Sequence, residues 1–354
     1  RTTVVARGYI DDEDLNFRNV STDRLINVSD IEVSLQSTDR NWLESFEIGV
    51  DLENKVFYSV DSNVVDDSID GARVVWTRWN DWRANGTSKE DVFDVDNFLG
   101  PDPQGLIIDP YEYGLSIGER WGQIDLGAGD DLVDLRTAVD IDGPEILDAQ
   151  GNDTYIGVGG EGWTNLNYAN ATGPINADAE AGVVVHTNGE VDIVENISHY
   201  RLSDGNDVFR ASFNDRSDVT GMEGDDTFIG SGDIRWDKVR YDDEHYDANL
   251  SETAGIVLNL SNFDISYVQS RMDGSIDGGI LGAKTAQDTF GDVDTFALNG
   301  FGETFQNVEG SRYHDDIMIG DEHWNNFRGE GGNDYIDGGV GGGGVEYLWD
   351  HDRD

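Results

Sequence analysis

The sequence predicts an all-β chain in which short strands are wound into narrow coils, with a further β-rich domain at the N-terminus. Three observations carry that prediction. Long stretches of helical period are missing, short alternating apolar runs recur, and a nine-residue phrase built on Gly and Asp repeats near the C-terminus.

In chain order, the first alternating runs are Lys55-Val56-Phe57-Tyr58-Ser59-Val60 and Ala72-Arg73-Val74-Val75-Trp76. Both read as strands bounded by turn residues. They belong to residues 1–120, an acidic β-rich domain whose type the sequence leaves open. The later runs Gly182-Val183-Val184-Val185-His186 and Gly255-Ile256-Val257-Leu258-Asn259-Leu260 read the same way. They fall in two repeat-built modules, residues 121–220 and 221–354.

The repeats are clearest at the C-terminal end. Asp316, Asn325 and Asp334 are spaced by nine residues, and so are Gly320, Gly329 and Gly338. Between acid or amide and glycine sit Ile317-Met318-Ile319, Asn326-Phe327-Arg328 and Tyr335-Ile336-Asp337, each with an apolar middle residue. Side chains alternate across a strand, so Met318, Phe327 and Ile336 should face inward, in two stacked rows. The same phrase recurs upstream as Gly129-Asp130-Asp131, Gly151-Asn152-Asp153, Gly205-Asn206-Asp207 and Gly224-Asp225-Asp226. There Val133, Tyr155, Phe209 and Phe228 take the inward place.

A longer repeat contains these phrases. One copy runs from Gly151 through Gly182-Val183-Val184-Val185 and Asn196-Ile197 to Asp207. The other runs from Gly224 through Gly255-Ile256-Val257-Leu258 and Asn307-Val308-Glu309 to Asp316, with an insertion around Ser266 to Gly291.

Charge narrows the function classes. The chain of 354 residues has 73 acidic and 23 basic residues, a formal charge of -50. Nucleic-acid phosphates and anionic membrane surfaces are bound through Lys and Arg, so neither is an expected partner. Self-repulsion at this charge opposes compaction unless cations neutralise it or a solvated acidic surface tolerates it. Cysteine is absent, which excludes disulfides and thiolate metal sites. No apolar run approaches the length that spans a bilayer. The start, Arg1-Thr2-Thr3-Val4-Val5-Ala6, has no initiator Met and no signal-peptide layout, so a fragment or processed form is expected.

The nine-residue phrase resembles the repeats-in-toxin (RTX), or hemolysin-type, calcium-binding repeat, Gly-Gly-x-Gly-x-Asp-x-apolar-x. The best match is Gly329-Glu330-Gly331-Gly332-Asn333-Asp334-Tyr335-Ile336-Asp337. Coverage runs from about Leu126 to Asp337, and the first 120 residues match weakly or not at all. The resemblance implies a right-handed parallel β-roll or β-helix holding several calcium ions, about three to six. It places ligands at Asp131, Asp153, Asp207, Asp226, Asp316, Asn325 and Asp334, with loop glycines Gly129, Gly151, Gly205, Gly224, Gly329 and Gly332. Asp supplies a hard anionic ligand, and Gly allows a tight loop with exposed carbonyls. There are departures. Gly343 stands where a further Asp would fall, Asn325 replaces an acid, and His314 and His323 replace loop glycines. At any isolated Gly-x-Asp the competing reading is a turn residue capping its own backbone.

No catalytic constellation emerges. The six His are scattered, and no His-Glu-x-x-His is present. Gly114-Leu115-Ser116-Ile117-Gly118 fits the nucleophile-elbow pattern, but no strand–helix context surrounds it. Asp109-Pro110-Tyr111-Glu112 faintly resembles the active-site phrase of alginate epimerases, with Tyr in place of the His. Trp76, Trp79 and Trp82, three apart, suit packing better than sugar stacking.

The expectation is therefore a calcium-folded extracellular structural or adhesive protein, without catalytic residues. By resemblance it would leave a Gram-negative bacterium by type I secretion. Beyond calcium, its partner would be a cell surface, a polysaccharide or another copy of itself. The alternative is an auxiliary repeat region of a secreted hydrolase or polysaccharide-active enzyme.

Overall fold

The computed structural model describes the strands 3–10, 30–37, 45–51, 56–60, 71–77, 82–87, 92–94 and 107–108 by their backbone path. It then describes residues 122–136, 144–148, 150–158, 162–213, 216–231, 237–242, 254–270, 275–340 and 344–346. Among these residues the chain is all-β, and no helix is long and apolar enough to cross a membrane. The Gly-x-Ser-x-Gly phrase at 114–118, the segment 109–112 and Trp79 lie outside the described residues.

The strands fall into two compact units, Arg1–Asn167 with Val191–Ile197, and Tyr168–Glu190 with Ser198–Asp354. In the first unit, Ser45–Asp51 pairs antiparallel with both Val56–Val60 and Gly71–Thr77. Gly71–Thr77 pairs antiparallel with Trp82–Thr87. From Trp82–Thr87 onward the pairing turns parallel, through Gly122–Gly127 and Glu145–Leu147 to Asn165–Asn167. The alternate strands form a second ladder, Val92–Asp94, Leu132–Asp134, Thr154–Ile156 and Val191–Glu195, also parallel.

The second unit repeats this alternation. His199–Arg201, Asp218–Thr220, Lys238–Arg240, Asn307–Glu309, Asn326–Arg328 and Gly344–Glu346 form one wholly parallel ladder. The other contains Ile175–Asp178, Val208–Arg210, Thr227–Ile229 and Val293–Ala297, then Val257–Asn259, Ile317–Ile319 and Tyr335–Asp337. It is parallel except where Val183–His186 and Thr285–Gln287 enter antiparallel.

Three-residue strands present one side chain inward and two outward; burial follows that rule in Leu132–Asp134, Val208–Arg210, Thr227–Ile229, Ile317–Ile319 and Asn326–Arg328, whereas Asp218–Thr220, Val257–Asn259 and Asn307–Glu309 are buried throughout. Val133, Phe209, Phe228 and Met318 are fully buried, and Tyr155 and Phe327 nearly so. Met318 stacks on Ile336, whereas Phe327 stacks on Val308 in the other ladder, which gives the two rows. Ile336, in the last of the Met318 row, is half-buried. Aromatic rings fill the space between rows: Tyr200 lies 5.1 Å from Phe209, and Phe228 5.6 Å from Phe296. Each such ring removes enough apolar surface from water to contribute about 2–3 kcal/mol.

The longer repeat aligns differently from its apolar runs. Val257–Asn259 is the counterpart of Ile175–Asp178, not of Val183–His186. Ile175 N–H donates to Asp207 Oδ1 at 2.6 Å, and Ile256 N–H to Asp316 Oδ1 at 2.7 Å. Val183–His186 corresponds instead to the strand beginning at Thr285, whose antiparallel partners match. The inserted piece is therefore the hairpin Ile265–Ser270 with Ile276–Leu281. Two Val-rich runs look alike to hydrophobic patterning; the hydrogen-bond partner distinguishes them.

Candidate metal centre

The Gly-x-Asp phrases come together in pairs, one coil over the next. Asp131 N–H donates to Asp153 Oδ1 at 2.7 Å across 22 residues. Asp207 N–H donates to Asp226 Oδ1 at 2.8 Å across 19 residues, and Asp316 N–H to Asp334 Oδ1 at 3.0 Å across 18. The preceding residue closes the loop in the reverse sense. Asn152 N–H donates to Asp130 Oδ1, Asp225 N–H to Asn206 Oδ1 and Asn333 N–H to Asp315 Oδ1. Each stacked pair of loops is thus clamped by an inner carboxylate and an outer Asp or Asn.

The glycines permit this stacking. A Cβ on Gly151 would run into the Gly129 carbonyl, and one on Gly224 into the Gly205 carbonyl. Gly332 lies over the His314 carbonyl in the same way, so His314 serves there through its backbone. Gly329 has a different role, because a Cβ there would occupy the position of the Asp334 carboxylate.

The expected ligands Asp131, Asp153, Asp207, Asp226, Asp316 and Asn325 are all buried, and Asp334 is half-buried. Asn325 is engaged with a different acid, its Nδ2 donating to Asp321 Oδ1 at 3.2 Å. Its Oδ1 accepts Asp321 N–H at 2.8 Å and its Nδ2 donates to Gln306 Oε1. The neighbouring Asp321 is paired with Lys284 at 2.7 Å.

Burial governs the protonation of the inner acids. It raises Asp153 to about 6, Asp207 to about 7 and Asp334 to about 6, each against N–H hydrogen bonds that act the other way. Asp316 is raised well above the usual carboxylate value by the same cause. Asp321 shows the contrast. Burial is outweighed there by Lys284 and His323, which bring it to about 2. Among the described residues, no Lys or Arg pairs with Asp153, Asp207, Asp316 or Asp334. The basic side chains sit elsewhere: Lys238, Arg240 and Arg328 surround Glu309, and Arg216 holds Asp218.

Other buried acids escaped the reading of the sequence. Asp192 Oδ1 accepts Asp153 N–H, and Asp294 Oδ1 accepts Asp226 N–H, both at 3.0 Å. Asp148 lies beside Asp192, with a carboxylate oxygen of each within 4.8 Å of the other. Burial, then Asp192, raises Asp148, and burial, then Asp294, raises Asp288. The signal was present as Thr187-Asn188-Gly189-Glu190-Val191-Asp192, which recurs as Thr289-Phe290-Gly291-Asp292-Val293-Asp294.

The donor set of these loops is all oxygen, carboxylate and carbonyl, which suits a hard cation such as calcium and not zinc or copper. No group of three His, Asp or Glu side chains close enough to share an ion, among the described residues, includes Asp131, Asp153, Asp207, Asp226, Asp316 or Asp334. Among models of known protein families none matches the chain, and no curated protein matches its sequence.

Proposed function

We propose that the chain is a calcium-folded extracellular protein with a structural or adhesive role, wound as β-roll modules of the repeats-in-toxin type. One observation carries the reading. Carboxylates recur at the same loop position coil after coil, buried except for the half-buried Asp334, and among the described residues none of Asp153, Asp207, Asp316 and Asp334 has a basic partner. Buried ionised acids need a proton or a cation, and at neutral pH a divalent cation neutralises them without leaving a group protonated.

The charge of -50 fits the same reading. Repulsion holds the metal-free chain open, and each bound calcium removes two charges while joining two coils. Such a chain would stay unfolded where free calcium is low and fold after export, the order that type I secretion from a Gram-negative cell requires. Its partners beyond calcium would be a cell surface, a polysaccharide or another copy of itself.

Calcium titration of the chelator-treated full chain, followed by far-UV circular dichroism and melting, tests this. A cooperative gain of β signal is expected, reversed by chelator and not reproduced by magnesium. A chain already folded in chelator, with a melting temperature that calcium does not move, would falsify the reading.

A further inference from the structure

The six-residue phrase ending at Asp192 and Asp294 places the same acid at the same point of each unit. Asp192 lies on Val191–Glu195, which pairs parallel with Thr154–Ile156, and Asp294 on Val293–Ala297, which pairs parallel with Thr227–Ile229. Beside each stands a second buried acid, Asp148 in one unit and Asp288 in the other. Asp148 is 1% exposed and Asp288 2%, yet the Oδ2 of each has no hydrogen-bond partner among the described residues. Among the described residues no Lys or Arg pairs with either carboxylate.

Two acids buried side by side must share a proton or a cation. At Asp288 and Asp294 the hydrogen bonds favour the cation. Asp288 Oδ1 accepts the N–H groups of Phe290, Gly291 and Asp292, at 2.6 to 3.0 Å, which stabilises the ionised form. Both oxygens of Asp294 also accept, Oδ1 from Asp226 N–H and Oδ2 from the Tyr241 hydroxyl at 2.8 Å. Three of the four oxygens of the pair thus accept hydrogen bonds, and Asp288 Oδ2 has no partner among the described residues. At Asp148, Oδ1 accepts the Tyr155 hydroxyl at 3.0 Å and Oδ2 has no geometric hydrogen-bond partner among the described residues.

We propose that Asp288 with Asp294, and Asp148 with Asp192, form interior calcium sites separate from the stacked Gly-x-Asp loops. The identity of the ion rests on the calcium reading above; the position of the sites does not. At Asp288 and Asp294 the carboxylate oxygens with the nearby Tyr241 hydroxyl make an oxygen-only donor set. The acid one coil away, Asp226 or Asp153, is fixed to the same site by its own N–H. Calcium here would tie the returning strand of each unit to the loop ladder.

Equilibrium dialysis of the full chain against calcium, at neutral pH, counts the ions. Asp288→Asn keeps the Oδ1 acceptor of its turn and removes the anion. It is expected to bind about one ion fewer per chain and to show a smaller rise in melting temperature with calcium. Asp148→Asn, in the other unit, should lose one ion independently and gives the answer if the first variant does not fold. A wild type that binds calcium and folds, with both variants binding the same number of ions, overturns the interior sites alone. It points instead to a shared proton. A wild type that binds no calcium overturns both proposals together.

Discussion

Asp131, Asp207 and Asp316 each present a backbone N–H to the carboxylate one coil later, and the residue before each offers its side chain in return. Such a clamp tolerates no extra atom between coils. Gly151→Ala pushes a Cβ into the Gly129 carbonyl, backbone against backbone, with no flexible neighbour to yield. The expected loss is about 1–3 kcal/mol or more, read by urea unfolding in calcium. Gly300→Ala is the control, because nothing lies within 4 Å of its added Cβ. It should stay within about 0.5 kcal/mol. Equal losses at the two positions would mean that close stacking does not limit stability.

At the scale of the strand, three residues suffice because in strands such as Asn326–Arg328 and Ile317–Ile319 the middle one enters the core. Phe327 is 1% exposed at the centre of Asn326–Arg328, whereas Tyr335 begins the outermost strand of the other ladder at 61% exposed. Phe327→Ala should destabilise the folded chain by about 3–5 kcal/mol. Tyr335→Ala should change it by about 0.5 kcal/mol or less, although the residues occupy neighbouring repeats. Thermal melting in saturating calcium distinguishes them, and similar losses at both sites would count against two inward rows. These middle positions were legible in the sequence, since period-two alternation fixes the direction of Met318, Phe327, Phe209 and Phe228. The antiparallel entries at Val183–His186 and Thr285–Gln287 were not legible, because an apolar run of three or four residues carries no mark of direction.

For the whole molecule, the inner acids make stability depend on pH in a particular sense. Asp153, Asp207 and Asp334 have folded values of about 6, 7 and 6, above the usual carboxylate value. The folded chain then holds protons that the unfolded chain releases. Their stabilising effect is complete below about pH 4 and is lost as pH rises through about 6 to 7. Each proton difference contributes about 1.4 kcal/mol per pH unit. His199, lowered by burial, acts oppositely below about pH 6.5, one imidazole against several carboxylates. Asp321, at about 2, is ionised throughout and adds no slope. Metal-free chain should therefore regain β signal at pH 5 and lose it at pH 8, and calcium should matter most at pH 8. An identical circular dichroism signal at both pH values in chelator would contradict this.

By itself the sequence determined that the described part of the chain is all-β, that strands of three residues alternate with Gly/Asp loops, and that Val133, Tyr155, Phe209, Phe228, Met318 and Phe327 turn inward. Those features follow from spacing along the chain, where period and turn chemistry act locally. It also marked the loop acids Asp131, Asp153, Asp207, Asp226 and Asp334, because each stands two residues after a glycine, and Asp316, which lies nine residues before Asn325 and has His314 in the glycine's place. Only the tertiary structure decided which acids meet. Asp226 joins Asp294 across 68 residues and Asp153 joins Asp192 across 39, separations that reflect loop and hairpin lengths and no fixed period. It also decided that Asp148 and Asp288 lose water altogether. Desolvation belongs to the packed coil, which no single segment of the chain contains, and it makes these carboxylates need a cation or a proton.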